Sequence, residues 1–90
     1  MKKDIKKRVV HRLKIIEGQV KGLQRMAEEE EYCISIITQV SAMRQALSSV
    51  EDLMLENHLL THVVSQMKSK KGQTKAVEEM LSIYKLSKKK

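Results

Sequence analysis

The chain lacks proline, tryptophan and phenylalanine, and Tyr32 and Tyr84 are its only tyrosines. Without large rings, 90 residues have little to fill a compact single-copy core, and one core gives only modest stability at this size. Cys33 is the one cysteine, so no internal disulfide can staple the fold, and a reduced thiol in a reducing compartment is the simpler reading. No apolar run approaches the roughly 20 residues that span a bilayer, and no signal peptide is evident. These absences point to a cytoplasmic protein with no membrane partner.

What is present is Leu, Ile, Val, Met and Ala with abundant charge, the mixture found in long bundled helices, so the expected fold class is all-α. From Ile5, apolar residues recur at Val9, Leu13, Ile16, Val20, Leu23 and Ala27, in steps of three and four that draw one stripe along a helix. Gly18 and Gly22 interrupt it at about 1 kcal/mol each relative to Ala, and their spacing reads as a notch for a second backbone. The acidic run Glu28 to Glu31 marks a break. A second helix starts near Tyr32 or Cys33, with those acids beside its positive end. Its stripe is Ile36, Val40, Met43, Leu47, Val50 and Met54, widened by Ile37, Ala46, Leu53 and Leu60, and nothing interrupts it before about Met67. At 1.5 Å per residue it runs to roughly 51 Å, against a radius of gyration of about 12 to 13 Å for a globule of this length, so a partner chain must cover it.

Beyond Asn57 the stripe turns polar, with Asn57 and Thr61 in apolar places and His58 and His62 beside them. Lys68 to Thr74, containing Gly72, reads as a short connection. Thr74 reads as the cap of a third helix with Val77, Leu81 and Tyr84 on one face and Met80 beside it. The chain closes on Lys88 to Lys90, an end expected to fray. Residues 1–90 read as one domain.

Lys and Arg number 18 and Asp and Glu 11, a net +7. Residues 1–27 hold nine basic groups, among them Arg8, Arg12, Lys14 and Lys21, against Asp4 and Glu17, which equals the whole excess. A polyanion is the natural partner. There is no helix-turn-helix pattern and little aromatic interleaving, so phosphate contacts with duplex DNA fit better than stacking on single strands.

Cys33, His58 and His62 are the candidate metal ligands. His58 and His62 lie four apart in a helical stretch, so both imidazoles project from one face and can chelate. A thiolate with two imidazoles is a soft, low-coordinate set that suits Cu(I) before zinc or nickel. Cys33 precedes His58 by 25 residues, roughly 37 Å along one helix, so a single protomer cannot close the site. If the three act together, the cysteine has to come from a second copy packed antiparallel. Taken alone, the histidines would be ordinary interface residues and Cys33 a small buried hydrophobe. No nucleophile, base and orienting group cluster together, so no enzyme is indicated.

The segment Arg12-Leu-Lys-Ile-Ile-Glu-Gly-Gln-Val-Lys-Gly-Leu, then Tyr32-Cys33, Thr38-Gln-Val-Ser-Ala-Met-Arg and His58-Leu-Leu-Thr-His62, resembles the CsoR-type repressors over essentially the whole chain. These are copper-sensitive operon repressors with nickel-, cobalt- and formaldehyde-responsive relatives. The resemblance implies a three-helix protomer, an antiparallel four-helix-bundle dimer built on the first two helices, and a dimer of dimers. It implies Cu(I) held by Cys33 of one protomer and His58 and His62 of the other, with Tyr32 and, by spacing, Glu78 supporting the ligands. Arg12 and Lys14, inside the matched segment, lead the DNA-contacting candidates, followed by Arg8, Lys21 and Arg44.

The departures narrow the inducer. Nickel and cobalt sensors of the family recruit an N-terminal histidine, whose place falls near Met1, and His11 is a poor substitute among basic residues. Formaldehyde sensors need an N-terminal proline, which is absent, and a persulfide sensor would want a cysteine at His58. The resulting expectation is a repressor that binds operator DNA as an apo tetramer, is released by Cu(I), and controls copper efflux or homeostasis genes. The rivals are a nickel- or cobalt-responsive repressor of the same family and a basic architectural DNA-binding protein.

Overall fold

The computed structural model describes residues 1–88, and every regular element among them is helical. In chain order these are α1 (Lys3–Glu28), α2 (Cys33–His58), a π-helical turn (Leu59–Val63), the three-residue α3 (Val64–Gln66) and α4 (Lys70–Lys88). They form two compact units, Met1–Leu55 and a second that begins at Glu56. Among the described residues no helix is long and apolar enough to cross a membrane.

In the first unit α1 starts without a side-chain cap, but Asp4 lies in the first turn, where the positive end of the helix favours an anion. It ends in a Schellman turn. The Glu31 N–H donates to the Met26 carbonyl at 3.0 Å and the Glu30 N–H to the Ala27 carbonyl at 3.1 Å, while Glu30 takes φ 52°. A side chain in that left-handed position costs roughly 1–2 kcal/mol, a place usually given to Gly. The Tyr32 carbonyl then accepts from the Ser35 and Ile36 N–H groups and opens α2, where the acidic break places it.

Ile5 and Val9 of α1 are buried with Leu53 of α2, and Val50 packs against them. Arg12 Nη1 donates to the Ser49 carbonyl at 3.4 Å, so early α1 meets late α2 and the pair is an antiparallel hairpin. Ile16 is buried as well. Part of the expected stripes is not covered: Leu13, Val20, Val40, Leu47 and Met54 each keep 38–44% of their surface exposed, while Leu23, Ile36 and Met43 are half-buried. Gly18 and Gly22 have nothing within 4 Å of where a Cβ would stand, so none of the described residues fills that notch.

In the second unit the helix following the π turn loosens through Met67 and Lys68, and α4 begins at Lys70, four residues before Thr74. The expected cap is therefore corrected. Ser69 Oγ accepts the Gly72 N–H at 3.0 Å, the hydrogen bond of an N-cap, and Thr74 sits inside the helix with its hydroxyl on the Lys70 carbonyl. Gly72 belongs to the first turn rather than to a loose connection. A Cβ there would collide with the Gln66 carbonyl, and that close approach is what requires glycine. Gln66 Nε2 donates to Glu79 Oε1 at 3.0 Å and Gln73 Nε2 to the Met67 carbonyl at 3.0 Å, tying α4 back to the preceding turn. Ala76 is buried, while Val77, Leu81 and Tyr84 line an open apolar groove with Val63, Met67 and Met80. Of the expected frayed end, Lys88 still closes α4, with Nζ 4.8 Å from the Tyr84 ring centroid, and residues 89–90 lie outside the described ones.

Candidate metal centre

His58 is the last residue of α2, and His62 lies in the π turn that follows. Residues four apart on a helical winding stand about one turn apart on the same face. The imidazoles stack accordingly, with centroids 5.2 Å apart and planes 27° off parallel. Thr61 Oγ1 donates to the Asn57 carbonyl at 2.7 Å, a back-bond of the kind that bends helices, beside the buried Asn57. The polar residues that replaced the apolar stripe thus shape the turn that carries the pair.

His58 is half-buried, and its Nε2 is shielded from solvent without a hydrogen-bond partner. Leaving a buried polar atom unsatisfied costs on the order of 1–3 kcal/mol, and a metal ion at that lone pair removes the cost. His62 is more exposed, so the pair offers one dry nitrogen and one reachable from outside. Cys33, the first residue of α2, is a free and exposed thiol. Among the described residues no three His, Cys, Asp or Glu side chains come together as a metal site. The histidine pair is together on its own. A thiolate and two imidazoles still make a donor set that fits a soft ion of low coordination number.

Tyr32 is 74% exposed beside Cys33. Glu78 is exposed on α4, and its backbone carbonyl accepts the Ser82 hydroxyl. Its neighbour Glu79 is the carboxylate that reaches the preceding turn, through Gln66. Adjacent glutamates on a helix cannot be told apart by composition, and no signal in the sequence marks Glu79 as the one bonded to Gln66.

The basic candidates are dispersed over the first unit. Arg8 and Lys14 line an open groove of α1 with Lys3, Lys6, Lys7 and His11. Arg12 is half-buried and bonded to Ser49, so it combines a packing role with whatever else it does. Lys21 is exposed and loosely paired with Glu17 at 3.7 Å, and Arg44 is exposed on α2.

The structure thus presents paired imidazoles on one helix face, a free thiol and an exposed basic helix. Residues 5–85 match the metal-sensitive transcriptional repressor family, and the chain belongs to it. It is a metal-responsive transcriptional repressor, not an enzyme. Over 80 residues it is 40% identical to the copper-sensing transcriptional repressor CsoR of Bacillus subtilis (strain 168), covering 89% of this chain and 78% of that protein. Its fold matches the crystal structure of the copper-sensing repressor CsoR with Cu(I) from Geobacillus thermodenitrificans NG80-2. That match has a TM-score of 0.82 and 36% identity, over 97% of this chain and 91% of the other. It also matches a variant of the formaldehyde-responsive regulator FrmR from Salmonella enterica serovar Typhimurium, with a TM-score of 0.80 and 30% identity over 94% and 96% of the two chains.

Proposed function

We propose that this repressor senses Cu(I) in the cytoplasm, binding operator DNA in its metal-free form and leaving it when the ion is held. The observation that carries the reading is the His58–His62 pair, stacked on one face with a buried nitrogen that lacks a partner. Its ligands are His58 and His62 of one protomer and Cys33 of a second copy, which the separation of Cys33 from the pair along α2 demands. When bound, the ion would join side chains of the two protomers at one point.

The exposed apolar residues of α1 and α2 support the partner copy. Val40, Leu47 and Met54 form a row on α2 that this chain does not cover, and covering it with the same row of a second hairpin gives an antiparallel dimer, which pairs again as a tetramer. Tyr32 and Glu78 would orient the ligands, Glu78 by accepting the N–H of a coordinating imidazole and fixing its tautomer. DNA phosphates meet Arg12 and Lys14, with Arg8, Lys21 and Arg44 alongside.

Linkage requires DNA to weaken metal binding by the same factor as the metal weakens DNA binding, and a coupling of about 3 kcal/mol corresponds to roughly 150-fold. Fluorescence anisotropy on promoter DNA, anaerobically and with one Cu(I) per protomer, tests this. Tight binding that copper releases is the expected result. Binding that ignores copper would transfer the role to nickel or cobalt, and equal affinity for random DNA would make the protein architectural.

A further inference from the structure

We propose that Lys68, Lys70, Lys71 and Lys75 form a second phosphate-binding surface for duplex DNA, separate from basic α1; the choice of DNA rests on the repressor reading above. The charge of residues 1–27 equals the net charge only because the remainder cancels. Residues 28–67 carry seven acids against Arg44 alone, and residues 68–90 carry eight lysines against Glu78 and Glu79. The basic second region is hidden in the total.

The four lysines are exposed, and none is in an ion pair among the described residues. Their placement is locally unfavourable in two ways. Lys70 and Lys71 stand in the first turn of α4, at the positive end of the helix dipole, and that turn contains no acid. Lys71 and Lys75 lie four apart, where like charges repel. Of the carboxylates within reach of Lys75, Glu79 four residues on is bonded to Gln66, and Glu78 three residues on forms no ion pair with it among the described residues. A segment that breaks two local rules without a local gain is where a functional demand is expected, and a row of phosphates removes both penalties together.

The backbone under the lysines is held in register by the Ser69 cap, by the Gln73 bond to the Met67 carbonyl and by Gly72 against Gln66. The residues between the lysines are Ser69, Gly72, Gln73 and Thr74, small or polar groups of the kind that contact phosphate and sugar. Residues 68–75 contain no apolar side chain to enter a lipid surface, which argues for DNA over an anionic membrane. The surface belongs to the same compact unit as His58 and His62.

The test is the full chain with Lys68→Gln, Lys70→Gln, Lys71→Gln and Lys75→Gln, compared with wild type on operator duplex by anisotropy between about 50 and 200 mM salt. Each lost phosphate contact lowers the slope of log affinity against log salt by about 0.9. A fall of about two units or more, with affinity at least tenfold weaker at moderate salt, is expected. An unchanged slope and affinity would overturn the proposal. The pair Lys71→Gln and Lys75→Gln, which removes the like-charge contact, keeps the test decisive if the fourfold variant does not fold, and should show about half the effect. Loss of binding to phosphatidylserine vesicles with operator binding intact would also overturn it. If the variants lose salt dependence while wild type neither prefers operator over random DNA nor responds to copper, the surface stands and the repressor reading fails.

Discussion

At its N-terminal end α2 opens with Cys33 exposed, behind a turn held by a left-handed Glu30. At its C-terminal end it passes into a π turn in which His58 and His62 stack and the His58 Nε2 is shielded from water. One end presents a donor that another surface can reach, and the other stacks a pair in which one nitrogen is shielded and the second ring is more exposed. Preparing both ends alike would gain nothing, because a donor set divided between two copies assembles only when one part is accessible to the other. The difference between the ends is therefore what an intersubunit site would look like from inside one protomer.

The contrast can be broken most severely at the donors. Cys33→Ser and His58→Ala should each lower Cu(I) affinity by more than about 100-fold, beyond the 10- to 100-fold typical of groups that only support ligands, as measured by competition with a Cu(I) chelator. If only one of them did so, the two ends would not serve one site. Gly72→Ala forces a methyl group into the Gln66 carbonyl and should destabilise the protein by about 1–3 kcal/mol, read from denaturant midpoints at one fixed protomer concentration. Glu30→Gly relieves the left-handed position at the other junction and should be stabilising by up to about 1 kcal/mol, which the same denaturation series would reveal. Thr61→Val removes the bond to the Asn57 carbonyl and should cost about 0.5–1.5 kcal/mol, with a loss of copper affinity smaller than that of either ligand variant. A stability unchanged by Thr61→Val would mean that the hydroxyl does not support the turn.

Much of this was legible in the residues. The stripe from Ile5 to Ala27 and the acidic break placed α1 and the start of α2 within a residue or two, because periodicity and a change in charge are signals local to the chain. The histidine pair was legible for the same reason. The π turn was not, since π and α windings draw on one composition, and only the polar Asn57 and Thr61 hinted that the register changes there. The start of α4 was misplaced because Ser69 and Thr74 are equally competent caps. Gly72 looked like a breaker, when its role is to admit the Gln66 carbonyl, a proximity that only the folded chain reveals. Arg12 shows a similar limit: its charge is plain in the sequence, its bond to Ser49 is not. That α2 outruns a small single core was readable from its length alone. Which of its apolar residues α1 covers was not, and the stripe does not separate Leu53, which is buried, from Leu47 and Met54, which stay open.

The measurement that goes furthest is complementation between two defective chains. Cys33→Ser and the double variant His58→Ala, His62→Ala are purified separately, unfolded, refolded together and titrated with Cu(I) while thiolate-to-copper absorption in the ultraviolet is followed. With a Cu(I) chelator present to outcompete a lone thiolate, each chain alone should give no such band, and the mixture should recover about a quarter of the wild-type capacity, since half of randomly assorted dimers are mixed and each holds one intact site of two. A mixture as silent as its components, or a Cys33→Ser chain that binds as wild type does, would contradict a site shared between protomers.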